Sequence, residues 1–202
     1  MQPNKEPKRS FIEESRRAQI VEATIAAIAE HGYTATTFTR IARHAAISAG
    51  LISYHFESKE DLMNVTLGTI ERRLDTAMGD GPEPDSYPQA LKSMLTRYVA
   101  YCTEHKQEMS ALAQIRQQAP HPSRAGRDGA DADELVQFIS EGQSYGQFRD
   151  ADPAVFASVL TNAMGHVPRE LERRPEAEHE EFASQWSALF VNAISASEGD
   201  GS

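Results

Sequence analysis

The chain is predicted to be all-α, and three observations carry the prediction. Apolar residues recur at steps of three and four along most of the 202 residues. The second half shows no stretch of the two-residue alternation that marks a half-buried strand. Helix start and stop signals, among them Thr37, Ser48, Ser58, Asp152-Pro153 and Gly32, sit at the ends of the periodic stretches. About nine helices follow: an N-terminal three-helix unit containing a helix-turn-helix, then a longer helical body.

Residues 1–10 are polar with two prolines and are expected to form a flexible arm, with Lys5, Lys8 and Arg9 as its charges. A long amphipathic helix is predicted over 11–31, where Ile20, Val21, Thr24, Ile25 and Ile28 make one stripe and Gly32 ends it. Two short helices are predicted at 38–45 and 49–55. Thr37 caps the first, with Phe38, Ile41 and Ala42 at helical spacing behind it. Ala45, Ala46 and Ile47 are small enough for a close crossing, and Ser48 caps the second helix with Gly50 in its first turn. Two short helices joined by about 3–4 residues are a helix-turn-helix, whose second helix enters the DNA major groove.

Ser58-Lys59-Glu60-Asp61 opens a longer helix to about 78, close to a capping box, with Leu62, Val65, Thr66, Ile70 and Leu74 inward. GDGPEPDSYP at 79–88 cannot continue a helix and is read as the break between halves. Helices are then expected at 88–105, 107–117, 134–145, 153–172 and 177–196. APHPSRAGRDGADAD at 119–133 is expected to be a mobile loop. Pro168 should kink or end the penultimate helix.

Net charge is −10, which looks wrong for a nucleic-acid binder. The charge is uneven, however. Residues 1–60 hold eight Lys/Arg against seven Asp/Glu, whereas 61–202 hold 12 against 23. Phosphate binding needs a local basic face, because screening cuts interactions beyond about 8–10 Å. The acidic body should then suppress nonspecific DNA binding. No apolar run is long enough for a transmembrane helix, and the N-terminus lacks the apolar core of a secretory signal. The lone Cys102 excludes an intramolecular disulfide. A cytoplasmic protein is the expectation.

Residues 36–62, TTFTRIARHAAISAGLISYHFESKEDL, resemble the DNA-binding domain of TetR-family transcriptional regulators. Thr36, Ile41, Ala42, Ala45, Ile47, Ser48, Gly50, Ile52, His55, Phe56, Ser58, Lys59, Glu60 and Leu62 match the family pattern. Arg40 replaces a frequent acid, Ala46 the turn glycine and Ser53 a common Tyr. E-G-x-x-x-G-x-F-R-x-x-D-P at 141–153 also resembles a turn of many ligand domains in that family. The resemblance implies an arm at 1–10, a DNA-binding domain at 11–58 and a ligand-binding and dimerisation domain at 59–202. It implies a homodimeric regulator of a palindromic operator, most simply a repressor released by an unidentified small-molecule effector. Activation, ligand-independent regulation and a helical protein-interaction module with a vestigial helix-turn-helix remain alternatives.

By motif position the DNA-binding candidates are Thr36, Thr37, Arg40, Ala49, Gly50, Leu51, Ser53, Tyr54, His55 and Lys59, with Arg43 a possible addition. Ser53 can hydrogen-bond a base edge, and Ala49 or Leu51 can touch a thymine methyl. Lys59 and the helix start at Thr36 and Thr37 suit phosphates. Helical phase nominates Met94, Tyr98, Tyr101, Met109, Leu112, Ile115, Arg116, Phe138, Gln143, Asn162 and His166 as ligand-pocket residues. Apolar walls with a few polar anchors are what such pockets use, but ordinary core packing explains most of these residues equally well. Phe156, Leu160, Ala163, Phe182, Trp186, Leu189, Phe190 and Ala193 form the apolar stripes assigned to the dimer interface. No G-x-S-x-G, P-loop or G-x-G-x-x-G occurs, and the seven histidines show no local ligand spacing. No enzyme, cofactor or metal site is expected.

Overall fold

The computed structural model describes residues 6–79, 85–118 and 121–196, with side chains for 11–79, 85–118 and 133–196. Within these residues the regular structure is helical. In order the helices are α1 (Glu6–His31), α2 (Phe38–His44), α3 (Ala49–His55), α4 (Lys59–Gly79), α5 (Tyr87–Glu104), α6 (Lys106–Gln118), α7 (His121–Ser144), α8 (Pro153–Glu172) and α9 (His179–Ile194). A single 3-10 turn, Glu176–Glu178, precedes α9.

Two expectations change. The arm expected at 1–10 becomes helix from Glu6, while residues 1–5 lie outside the described residues. The loop expected over 119–133 is helical from His121, with 119 and 120 outside the description. Pro122 falls in the first turn of α7, where a missing N–H costs nothing. The alanines at 125, 130 and 132 favour helix, while Gly126 and Gly129 each cost about 1 kcal/mol relative to Ala. Helix α4 is described as far as Gly79, residues 80–84 lie outside the described residues, and Ser86 caps α5 by accepting from Gln89 N.

The chain folds as two compact units. The first contains α1, α2, α3, α4 as far as Arg72, and α6 from Gln107. Its interior is built from Ile20, Ile28, Ile41, Ile52, Phe56 and Leu62, none more than 1% exposed. Gln114 on α6 accepts from Tyr33 N (2.9 Å), and Arg116 pairs with Glu71 (3.1 Å). The expected functional boundary at 58–59 is the α3–α4 junction; packing places the first fourteen residues of α4 with the helix-turn-helix.

The second unit takes the rest of α4, α5, α7, α8 and α9. Leu91, Leu95, Ile139, Phe148, Leu160, Phe190 and Ile194 form its core. The 141–153 turn explains its own residues. The carbonyl of Gly142 accepts from the backbone N–H groups of Gln147 and Phe148, and Gly146 adopts φ 67°. A Cβ on Gly142 would stand 2.2 Å from the Phe148 ring, so the buried ring occupies the space that only glycine leaves. Asp152 then caps α8 by accepting from Ala154 N and Val155 N.

Helix α8 runs through Pro168 to Glu172 rather than ending there. A proline at 168 leaves the carbonyl of Met164 without its helical donor. The Tyr98 hydroxyl donates to that carbonyl at 2.8 Å, from a nearly buried position on α5. His179, buried at the start of α9, sits 3.0 Å from Leu171 O through Nε2 and 3.3 Å from Thr103 Oγ1 through Nδ1.

Candidate nucleic-acid interface

The helix-turn-helix is held by hydroxyls and one unusual backbone angle. Thr37 Oγ1 accepts from Arg40 N (3.4 Å) and Ser48 Oγ from Leu51 N (3.3 Å), so each short helix is capped at its start. Between them Ala46 takes φ 53°, the left-handed region. The reversal closes when Ile47 N reaches back to Ala42 O at 3.0 Å. A glycine makes this turn without steric cost; alanine does not.

Helix α3 buries Ile52 completely. At 100° per residue, Gly50 and Tyr54 point nearly opposite to it and Ser53 points to one side. All three are exposed, Tyr54 to 72%, and nothing lies within 4 Å of a Cβ on Gly50. The Tyr54 ring rests edge-on against His55 at 5.1 Å. Ala49, Leu51 and His55 are half-buried at the rim of this face. The Ser53 hydroxyl lies 3.4 Å from Ala49 O and is free to turn outward.

The remaining candidates differ in how far they are committed to the fold. Thr36 is fully buried, and its hydroxyl donates to Gly32 O at 2.8 Å, so it shapes the loop rather than reaching outward. Arg40 bonds the Ala35 carbonyl from a half-buried position, and Arg43 is exposed. Lys59 Nζ donates to Tyr33 O at 2.9 Å and lies 4.6 Å over the Tyr33 ring. Partial burial pulls its pKa below the ordinary lysine value, against the opposing pull of Glu60. Ser58 Oγ accepts from Asp61 N (3.0 Å), and Asp61 accepts from Glu57 N (3.2 Å), one residue before the cap itself.

Three supporting residues were missed from sequence. Tyr33 seats Lys59. Arg17 donates to His55 O and stacks 4.3 Å over Phe56. Gln19 donates to Ala45 O at 2.7 Å. Arg17 and Gln19 sit on the polar side of a plainly amphipathic helix, so only the tertiary contact reveals them.

The ligand-pocket candidates fall in both compact units. Met109, Leu112, Ile115 and Arg116 belong to the first unit, and Met94, Tyr98, Tyr101, Phe138, Gln143, Asn162 and His166 to the second. Tyr98, Tyr101, Met109, Leu112 and Ile115 are buried. Gln143 fastens the turn by donating to Arg149 O (3.0 Å) and Ala151 O (2.7 Å). Asn162 and His166 are exposed, because Ala157, Leu160 and Val167 set the inward face of α8 and these two lie on the other side. Arg116 is engaged by Glu71, though its Nε is buried without a partner.

The interface candidates also divide. Leu160 and Phe190 belong to the core of the second unit, with Phe156, Ala163 and Trp186 packed half-buried against it. Phe182 lies under the Arg174 guanidinium at 4.6 Å, and Ala193 is half-buried. Leu189 remains exposed, as do Val155 and Val159.

Helix-turn-helix proteins that enter the DNA major groove present a face such as that of α3 on their second helix. The family described as bacterial regulatory proteins, tetR family, matches residues 20–66. The transcriptional regulator BetI 2 of Chromohalobacter salexigens is 45% identical over 67 residues, 33% of this chain and 32% of that protein. BetI of Cronobacter sakazakii is 40% identical over 63 residues, 31% of each chain. The chain thus matches about a third of the length of these curated relatives. A TetR-family regulator from Marinobacter aquaeolei has the same fold across 93% of this chain and all of its own (TM-score 0.78, 17% identity). One from Haloarcula marismortui matches over 90% and 99% (TM-score 0.72, 24% identity). Residues 20–66 thus match the tetR-family model, and the whole chain shares the fold of these regulators. No helix among the described residues is long and apolar enough to cross a membrane.

Proposed function

We propose that the chain is a homodimeric transcriptional repressor that binds a palindromic operator and is released from it by a small-molecule effector. The outward face of α3, Gly50, Ser53 and Tyr54, carries the reading: a large aromatic exposed on a seven-residue helix has no role in the fold's own packing. Its resemblance to regulators named as transcriptional supports the assignment. Ser53 and Tyr54 read base edges or grip phosphates, Ala49 and Leu51 meet a thymine methyl, and Thr37, Arg43 and Lys59 hold the backbone.

Dimerisation uses the exposed faces of α8 and α9. Val155, Val159, Asn162 and His166 fall within one stripe of α8, on the side away from Leu160, and Leu189 is exposed on α9. Two heads then reach successive major grooves about 34–36 Å apart, or a multiple of that. An effector acting through α4, which contributes residues to both compact units, needs a coupling of about 1–3 kcal/mol to lower operator affinity 5–150-fold. The same fold working without an effector is the second reading, favoured by the burial of Tyr98, Tyr101, Met109, Leu112 and Ile115.

Anisotropy titration of the purified chain with DNA flanking its own gene, at two salt concentrations, tests the proposal. Saturable binding to an inverted repeat, falling steeply with salt, is expected. Equal weak binding to all DNA, including randomised pools, rules it out. Metabolites that leave operator affinity unchanged favour the effector-free reading.

A further inference from the structure

The fold brings His44 up to the adjacent pair Glu30 and His31. Glu30 and His31 end α1, and His44 ends α2, thirteen residues further on. His31 Nε2 lies 3.5 Å from Glu30 Oε1, and His44 Nε2 lies 3.6 Å from Glu30 Oε2. One donor atom from each residue falls within 4.8 Å of the others. The two imidazoles meet at a steep angle, with ring centroids 5.7 Å apart.

We propose that Glu30, His31 and His44 form a binding site for a divalent transition-metal ion, Zn²⁺ by its chemistry, on the first compact unit. The edge of a tetrahedron around zinc follows from bond lengths of about 2.0–2.2 Å and is roughly 3.3–3.6 Å. Each histidine nitrogen stands at about that edge length from one Glu30 oxygen, His31 from Oε1 and His44 from Oε2, and one donor atom from each of the three residues lies within 4.8 Å of the others, so small side-chain rotations would bring a single carboxylate oxygen and both imidazoles onto one ion. Two imidazoles and a carboxylate are a zinc donor set that leaves a fourth position for water. Softer ions that require thiolate have no partner here. Both histidines close helices, where the carbonyl ends of the helix favour positive charge. The side chains of His31 and His44 are 29% and 24% exposed and that of Glu30 is 63% exposed, so an ion has an entry path without any opening of the fold. An ion held there would clamp the end of α1 to the end of α2, immediately before the Ala46 turn. The inference is independent of the DNA-binding proposal, because its readouts need no DNA.

The test is calorimetric titration of tag-free full-length chain with Zn²⁺ at neutral pH, with the visible spectrum of added Co²⁺ reporting coordination geometry. Variants His31→Gln, His44→Gln and Glu30→Gln are compared, all at accessible positions where the fold should survive; far-UV circular dichroism verifies this. One ion per chain is expected, with intense tetrahedral Co²⁺ bands. Losing an outer-shell partner costs 10–100-fold in metal affinity, so each of these variants should weaken binding by at least about tenfold. The exposed His166→Gln variant should leave binding unchanged. No binding by the parent chain overturns the proposal, and so does binding that survives in the double variant His31→Gln/His44→Gln.

Discussion

Ala46 is the residue at which the helix-turn-helix works against its own backbone. Its φ of 53° places Cβ in the left-handed region, which costs an L-residue roughly 1–2 kcal/mol. Ala46→Gly should therefore raise unfolding free energy by about 1 kcal/mol in a urea titration, despite the extra entropy of an unfolded glycine. Tyr54 and Lys59 separate reading from folding. Tyr54→Ala removes an exposed ring and should leave the melting temperature unchanged while weakening operator binding by about tenfold or more, the 1–3 kcal/mol of a specific contact. Lys59→Ala also loses its bond to Tyr33 O, so it should lower both operator affinity and stability, the latter by about 1 kcal/mol. If Tyr54→Ala bound operator normally, the face of α3 would not be the reader. Burial pushes the Cys102 thiol up to about 12 from 9.0. The folded state holds that proton more tightly than the unfolded chain, so the resulting stability is complete below pH 9 and is lost as pH rises toward 12. Below pH 9 iodoacetamide should label Cys102 only at the rate at which the unit opens.

At the scale of the element, α8 shows how a broken helix bond is repaired from a neighbour. Pro168 withholds the N–H that Met164 O would accept, and the Tyr98 hydroxyl supplies a donor at 2.8 Å. Tyr98→Phe should cost about 1–3 kcal/mol, because a carbonyl is left unpaired next to the core. In a Pro168→Ala background the helix supplies its own donor, and the same substitution should cost much less. A double-mutant cycle read by chemical denaturation measures the difference. Equal costs in both backgrounds would show that Tyr98 acts through packing alone. The same α8 carries Asn162 and His166 on its exposed side, away from its buried Ala157, Leu160 and Val167. An unpatterned segment misled: Pro and Gly at 119–133 suggested a loop, yet α7 begins at His121.

For the whole molecule, the proposed dimer makes the exposed apolar residues of the second unit its test. Val159→Glu and Leu189→Glu place charge on faces that are 57% and 64% exposed in the single chain. Each variant should stay folded by circular dichroism while sedimentation equilibrium shifts from dimer to monomer. Operator affinity should fall with it, since each head alone grips only half a site. An unchanged dimer in both variants would place the interface elsewhere. The sequence alone determined the helical class, the order of the helices and the helix-turn-helix. Each of these rests on local signals: a period of three to four, a capping hydroxyl, a proline or glycine at a boundary. Tertiary structure decided which residues of a stripe are spent inside. Leu160 and Phe190 look like interface residues by period, but the core of their own unit takes them. It also decided the long-range partnerships: Lys59 with Tyr33, Tyr98 with Met164, and Glu30 with His31 and His44. Helical phase fixes the direction of a side chain, while the element it meets there is set by how the chain crosses itself, and no local pattern encodes that crossing.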